Sequence, residues 1–351
     1  MSGDAGNDHL SGGKGNDTYL FSSGFGHDVI DNSEGGFDKI LFDKSISSRK
    51  VEITRLENDL HISVNRGSDT ITLSNYFIGD TLSDNAIQSI EFADGTLLDT
   101  SEIISSTQKT SQGDDLIQGL NGVDTIFSQA GNDHVRGGRG DDVIDGGNGN
   151  DTLFGDDGND SMRGGNGADV MWGGSGDDSM HGGNESDTLD GGAGNDQLFG
   201  GNGKDTLNGG VNNDVLDGGN GNDTLIGGSG DDMLQGGEGN DTYIINTLDG
   251  NDLINDTSGN DTIKFEENSE NLWFSREGEN LLIKNLKSNN TTTIENWDES
   301  TIDRLETTDG YADIADIRLI VQAMTAFDDG QEEESEAIEL QNTLDIAWHR
   351  E

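Results

Sequence analysis

Aspartate recurs every nine residues through the middle of the chain, at Asp115, Asp124, Asp133, Asp142, Asp151, Asp160, Asp169, Asp178, Asp187, Asp196, Asp205, Asp214, Asp223, Asp232 and Asp241. Carboxylates at a short fixed interval are suited to gathering hard cations through oxygen ligands. The rest of the sequence excludes most other chemistry. Cys is absent, so there is no thiolate nucleophile, disulfide or thiolate metal site. The six His have no ligand spacing, which removes the donors zinc prefers. No H-E-x-x-H, G-x-S-x-G or G-x-x-x-x-G-K-[ST] stretch occurs, and the chain is expected not to be an enzyme. Lys204 in "GNGKDT" reads as a solvated side chain, and the acid pair Asp141–Asp142 as a repeat element.

Composition points the same way. Asp and Glu number 70 against 19 Lys and Arg, a formal net charge of −51. That field repels phosphates, so nucleic acid is excluded as a partner and cations are favoured. Only 29% of the chain is hydrophobic and 54 residues are Gly, values that would normally indicate disorder. A strict sequence period overrides that default. Pro is absent, which removes slow prolyl isomerisation from folding. No apolar run approaches the ~20 residues of a membrane span. The start, "MSGDAGNDHL", lacks a basic region and an apolar region and begins inside a repeat unit. It is expected to be a fragment boundary or an engineered start rather than a signal peptide.

Around the aspartates, residues 110–244 divide without a gap into fifteen nonapeptides of the form G-G-x-G-x-D-x-U-x, with U apolar. The sixth position is always Asp and the eighth always apolar, from Ile117 to Tyr243. This pattern resembles the RTX, or haemolysin-type calcium-binding, nonapeptide repeat over nearly every residue from 110 to 264. The resemblance implies an all-β fold, a parallel β-roll that binds Ca²⁺. It also implies the C-terminal part of a larger secreted, extracellular protein exported by a type I system.

The residues support that fold independently. Three Gly in six residues of "GGNGND" rule out a helix and permit a tight turn. "TLF" is a short strand whose middle side chain points inward. Two nonapeptides make one 18-residue coil, so each unit lies over the next but one. Asp133 then stacks on Asp151 and Asp169, and Asp142 on Asp160 and Asp178. At ~4.8 Å between coils and an effective dielectric of ~20, neighbouring carboxylates repel by ~3 kcal/mol. A divalent ion between stacked turns reverses that sign, with carboxylates and turn carbonyls as ligands. Flexible turns offering only oxygen suit Ca²⁺ better than Mg²⁺. Several units depart from the pattern: "GLNGVDTIF", "SQAGNDHVR", "GGNESDTLD" with Glu185, and "GGVNNDVLD" with Asn212. Roughly 8–12 bound ions are therefore expected.

A longer repeat flanks the nonapeptides. "GKGNDTYLFSSGFGHDVIDNSEGGFDKILF" (13–42) parallels "GEGNDTYIINTLDGNDLINDTSGNDTIKF" (237–265). The first contains degenerate units centred on Asp28 and Asp38, the second on Asp252 and Asp261. Asp8 and Asp17 end an upstream roll, and Asp8, Asp17, Asp28, Asp252 and Asp261 join the candidate metal ligands. Alternating "KVEITRL", "DLHISV", "DTITLSNYF" and "IEFADGTLL" predict hairpins after the first copy. "NLWFSREGENLLIK" and "TTTIENW" follow the second copy less closely, with no equivalent of the "FADGT" hairpin. Residues 19–104 resemble the haemolysin-type calcium-binding related domain, which implies a cap over an open roll edge. The expected segments are 1–42 as the end of an upstream roll, 43–109 as a hairpin cap, 110–264 as the roll, 265–310 as a second cap, and 311–351 as a tail.

In the tail, "YADIADIRLIVQAMTAF" has helical spacing, "DDGQEEESE" is a charged linker, and "AIELQNTLDIAWHRE" is a second amphipathic candidate. By resemblance it is an uncleaved signal read by type I secretion machinery; its own pattern also fits a capping helix. Two rival functions remain at this point. Stacked Asn148, Asn166, Asn184, Asn202 and Asn220, with Thr188, Thr206, Thr224 and Thr242, could order water on an ice-binding or adhesive face. Alternatively, Trp172 or Phe154 could touch a ligand, or the segment could be accessory to a secreted toxin or hydrolase. The expected state is a monomer whose partners are calcium ions and an exporter.

Overall fold

In the computed structural model, the described residues are 1–328 apart from 33, 57, 79–80, 84–85, 108–109, 248, 257 and 298–301. Apart from Asp328, the acidic linker and the last amphipathic candidate lie outside them. Among the described residues the structure is nearly all β, a parallel β-solenoid of about 14 turns with two short α-helices.

Every coil follows from the nonapeptide. Positions seven to nine of one unit and one to three of the next make a six-residue strand, such as Thr152–Asp157 or Ser161–Asn166. Successive strands alternate between two sheets. Within each sheet the pairing is parallel with an 18-residue offset, as in Leu153↔Met171 and Met162↔Met180. This is the next-but-one stacking that the sequence period demands. The eighth-position residues, from Ile117 to Tyr243, are at most 3% exposed and form one continuous core. A single apolar residue per nine makes that core only one side chain deep on each sheet. The fourth-position glycine, present in all but two units, has a different role. Gly149 sits at φ +127°, and a Cβ there would collide with the backbone carbonyl of Gly131 in the preceding coil.

Both flanking modules continue the roll in the same way. After Asp261–Phe265, one sheet adds Ile302–Thr307 in parallel and then Gly310–Asp313 antiparallel. The other passes from Leu253–Ile254 to Thr291–Ile294 in parallel, then to Asn280–Asn285 and Leu272–Glu277 antiparallel. The N-terminal copy does likewise, with Lys39–Phe42 beside Ser89–Phe92 and Leu97–Asp99, and His27–Asp31 beside Asp69–Leu73, Asp59–Val64 and Val51–Leu56.

The expected absence of a second terminal hairpin is overturned. Ile302–Thr307 and Gly310–Asp313 supply it around the turn "TTDG". Its inward residues include only Leu305 and Ala312 as deeply buried apolar partners across the pair, so its hydrophobic alternation is faint. The N-terminal hairpin is followed by helix α1, Thr100–Thr107, which no apolar periodicity marks in the sequence. Its signal was a capping box: Glu102 N–H donates to Asp99 Oδ1, and Asp99 N–H donates to Glu102 Oε2, each at 3.0 Å. Helix α2, Ile314–Asp328, lays Ile317, Ile320 and Val321 against the end of the main core. At the other end, buried Arg55 donates to the Gly119 carbonyl at 2.8 Å, tying the first module to the opening coil of the roll.

Candidate metal-binding turns

The sixth-position aspartates occupy the turns that join the two sheets, in two rows. One row runs Asp115, Asp133, Asp151, Asp169, Asp187, Asp205, Asp223, Asp241 and Asp261. The other runs Asp124, Asp142, Asp160, Asp178, Asp196, Asp214, Asp232 and Asp252. From Asp133 and Asp142 onward, each Oδ1 accepts the backbone N–H of the aspartate one coil earlier, as in Asp133 N–H to Asp151 Oδ1 at 2.8 Å and Asp151 N–H to Asp169 Oδ1 at 2.7 Å. The same link closes both rows, from Asp232 to Asp252 and from Asp241 to Asp261. In the N-terminal module, Asp28 and Asp38 accept from Asp8 and Asp17.

The second oxygen is different. From Asp133 through Asp241, every sixth-position Oδ2 is buried with no hydrogen-bond partner. These aspartates are at most 2% exposed. Such an atom is costly to leave unsatisfied, and here the cost recurs in each turn. The first-position glycine marks where these oxygens point. A Cβ on Gly155 would collide with Asp160 Oδ2 and lie 2.6 Å from the Gly173 carbonyl oxygen. Carboxylate and carbonyl oxygens therefore converge beside a glycine whose missing side chain leaves space. This hard, oxygen-only donor set fits Ca²⁺. The residues that would hold it are the stacked aspartates and the neighbouring turn carbonyls.

Electrostatics adds to the case. Burial strips these carboxylates of water and pushes Asp142, Asp160, Asp196, Asp223, Asp232 and Asp241 up to about 6. It pushes Asp169, Asp178, Asp187 and Asp214 up to about 7. Asp252 rises to about 8, with Asp232 nearby adding to the burial. The accepted N–H works against this rise in every case, without cancelling it. Without metal, burial therefore opposes ionisation of these carboxylates.

The departures from the repeat are absorbed by the backbone. Glu185 and Asn212 replace fourth-position glycines and adopt φ +70° and +82°. Asp187 and Asp214 in those units keep the buried, unpartnered Oδ2 of their neighbours. The first coil differs more. Asp115 and Asp124 are half-buried and turn to their own units, accepting from Ser111 N–H and Leu120 N–H at 2.6 Å each. Asp8 and Asp17 are likewise half-buried at the start of the N-terminal module.

A third kind of row was missed in the sequence. Fifth-position Asn and Asp side chains accept the N–H of the following coil, as in Asn150 N–H to Asn132 Oδ1 and Asn159 N–H to Asp141 Oδ1. They brace the turns in the direction opposite to the sixth-position links. The signal was the frequent Asn or Asp before the invariant Asp, as in "GND" and "GDD".

The outer ladders also have partners within the roll. Asn166 Nδ2 donates to Asn148 Oδ1 and Asn184 Nδ2 to Asn166 Oδ1, both at 2.7 Å. This Asn row ends the strands of one sheet, while the Thr row begins the strands of the other, so both border one turn edge rather than spreading over a flat face. The Phe154 and Trp172 rings stack at 4.6 Å between centroids and 6° between planes.

With this geometry in place, the class is a calcium-binding parallel β-roll. The family profile described as the RTX calcium-binding nonapeptide repeat matches residues 1–30 and, in adjoining or overlapping stretches, 110–264, over half of the chain. The haemolysin-type calcium-binding protein related domain matches residues 59–102. The chain belongs to the RTX calcium-binding repeat family, and its repeats bind multiple Ca²⁺ ions. Among curated proteins it is similar to the iron-regulated protein FrpA of Neisseria meningitidis serogroup C, 38% identical over 112 residues. That match covers 31% of this chain and only 10% of the relative. Among solved structures, the extracellular lipase LipA of Serratia marcescens aligns over 84% of this chain and 37% of the lipase, with 17% identity and a TM-score of 0.20. A score that low supports no inference about fold or activity.

Proposed function

We propose that this chain is a calcium-triggered folding segment of a larger extracellular protein, non-catalytic itself and monomeric. The observation that carries this reading is the unbroken row of buried Oδ2 atoms, from Asp133 to Asp241, without a partner. Such turns resist closing without a cation and close readily around one. A chain with a net charge of −51 stays extended and self-repelling where Ca²⁺ is scarce, in a form that can thread a narrow exporter. Where Ca²⁺ is millimolar, binding favours the folded roll by mass action. Folding on the far side then opposes return of the chain and stabilises what is attached to it.

The ligands in this reading are the sixth-position aspartates of the roll, with Asp252 and Asp261 at its end and Asp8, Asp17, Asp28 and Asp38 in the N-terminal module. Residues 311–351 act at two levels. Helix α2 caps the core, and residues 329–351 carry the type I secretion signal.

Metal analysis after equilibrium dialysis tests the binding half: roughly 8–12 Ca²⁺ per chain are expected, and one or two would overturn it. Truncation tests the export half. Removing 329–351 should block type I export and leave Ca²⁺-induced folding intact, whereas efficient export of that truncated chain would refute the signal.

A further inference from the structure

The last coil breaks the repeat at one position. Asp261 is the sixth residue of a degenerate unit, which makes Asp256 its first residue, where intact units carry Gly. A first-position side chain points toward the sixth-position carboxylates, as Gly236 shows: a Cβ there would collide with Asp241 Oδ2. Carboxylate oxygens of Asp241, Asp256 and Asp261 lie within 4.8 Å of one another, and all three residues are buried. Asp241 is 1% exposed, and its Oδ2 has no hydrogen-bond partner. The third carboxylate is held in place. Tyr243 Oη accepts Gly236 N–H at 2.7 Å and donates its proton to Asp256 Oδ2, while Asp256 Oδ1 accepts Ser258 N–H at 3.2 Å.

The N-terminal module supplies an internal comparison. Tyr19 Oη accepts Gly12 N–H and donates to Asn32 Oδ1, each at 3.0 Å, beside the stacked Asp17 and Asp38. The tyrosine brace is the same, but the residue it holds is a neutral amide. Tyrosine placement therefore explains neither the charge at Asp256 nor its position against two further carboxylates.

We propose that Asp256 turns the final coil into a three-carboxylate divalent-cation site, which takes Ca²⁺ before the two-carboxylate sites of the mid-roll and ties the C-terminal cap to the roll. This rests on the calcium-dependent reading above and adds a distinct site to it. A third formal charge raises cation affinity where ligand number and flexibility are otherwise alike. Asp241 belongs to the last regular unit, whereas Asp261 opens the strand on which Ile302–Thr307 of the cap is paired. An ion held by all three fixes that junction first and gives the remaining coils an ordered end to build on.

The test uses the full chain and Asp256→Asn, which keeps an oxygen to accept from Tyr243. Tb³⁺ serves as the probe, with emission sensitised through tyrosine, alongside Ca²⁺ counting by dialysis. The variant should lose one ion and raise the midpoint of the first Tb³⁺ phase about tenfold. Asp169→Asn should leave that first phase alone and shift the later ones. An unchanged first phase and ion count in Asp256→Asn, with Asp169→Asn responding, overturns this site alone; no response in either variant overturns the calcium reading beneath it. If Asp256→Asn does not fold at saturating Ca²⁺, Asn32→Asp decides: it should gain one ion and a tight phase, and no gain overturns the proposal.

Discussion

Residues 43–103 and residues 110–264 are both built of strands, but they bury different things. The N-terminal hairpins bury Leu60, Ile62, Val64, Ile71, Phe77 and Ile90 together with Tyr19, Phe21, Phe25 and Phe42 from the segment before them. Rings pack on rings there, with Phe21 and Phe25 centroids 4.8 Å apart and Phe42 and Phe92 stacked at 5.1 Å. Beyond its first coil, the roll buries one apolar side chain and one sixth-position carboxylate per nonapeptide. The first arrangement gains stability by removing apolar surface from water. The second pairs each small apolar gain with a buried acid, and so depends on whatever neutralises the acid. In the proposed reading, the same β geometry serves one region held mainly by apolar burial and one that waits for an ion.

The comparison breaks most visibly on removal of metal. In excess chelator at neutral pH, amides of the roll should lose hydrogen-exchange protection almost entirely, while those of Leu60, Ile62 and Ile71 keep a measurable part of theirs. Equal loss in both regions would mean that the hairpins lean on the roll for their order. A core substitution probes the other side. Leu60→Ala should cost about 2–5 kcal/mol by denaturant unfolding of the N-terminal module, with little change in the Ca²⁺ midpoint of the roll.

Within the roll, position should matter. Asp169→Ala removes a carboxylate between Asp151 and Asp187 and leaves the buried Asp151 N–H without its acceptor, a penalty of about 1–3 kcal/mol beyond the lost charge. Its Ca²⁺ midpoint should rise several-fold more than that of Asp115→Ala, where the carboxylate is half-buried in the opening coil. Equal shifts would contradict the stacking order. Substitution to Asn separates the two causes at position 169, because the amide oxygen still accepts the N–H.

Acid gives a smaller effect of defined sign. The mid-roll aspartates have folded values raised to about 6–7, above the unfolded value of 3.8, so the folded roll holds protons that the unfolded chain has released. Stability of the metal-free roll is therefore greatest at or below the unfolded value and declines as pH rises through 6–7. Dialysed, metal-free chain should show more β signal by circular dichroism near pH 4.5 than at pH 7.5. The reverse order would mean that the buried acids are not what opposes folding.

Much of this was legible in the sequence, for a physical reason. A solenoid repeats one local solution, so the fixed Gly, Asp and apolar positions specify turn, site and core at once, and the nine-residue period specifies the stacking. What lay beyond it was information not carried by the period. Asp256 stands where the intact units carry Gly, and only proximity to Asp241 and Asp261 gives it meaning. The second terminal hairpin was hidden because "DRLETTDGYAD" has too few apolar residues to alternate. The fifth-position Asn and Asp were visible only as repeat elements, since their hydrogen bonds to the next coil appear only once the coils are stacked.

Coupling of folding to calcium is tested most directly by far-ultraviolet circular dichroism of the full chain, titrated from excess chelator to millimolar Ca²⁺, with Mg²⁺ in parallel. A cooperative rise in β signal with Ca²⁺, and none with Mg²⁺ at the same concentration, is the predicted result. A spectrum already β-rich in chelator and unchanged through the titration would contradict it.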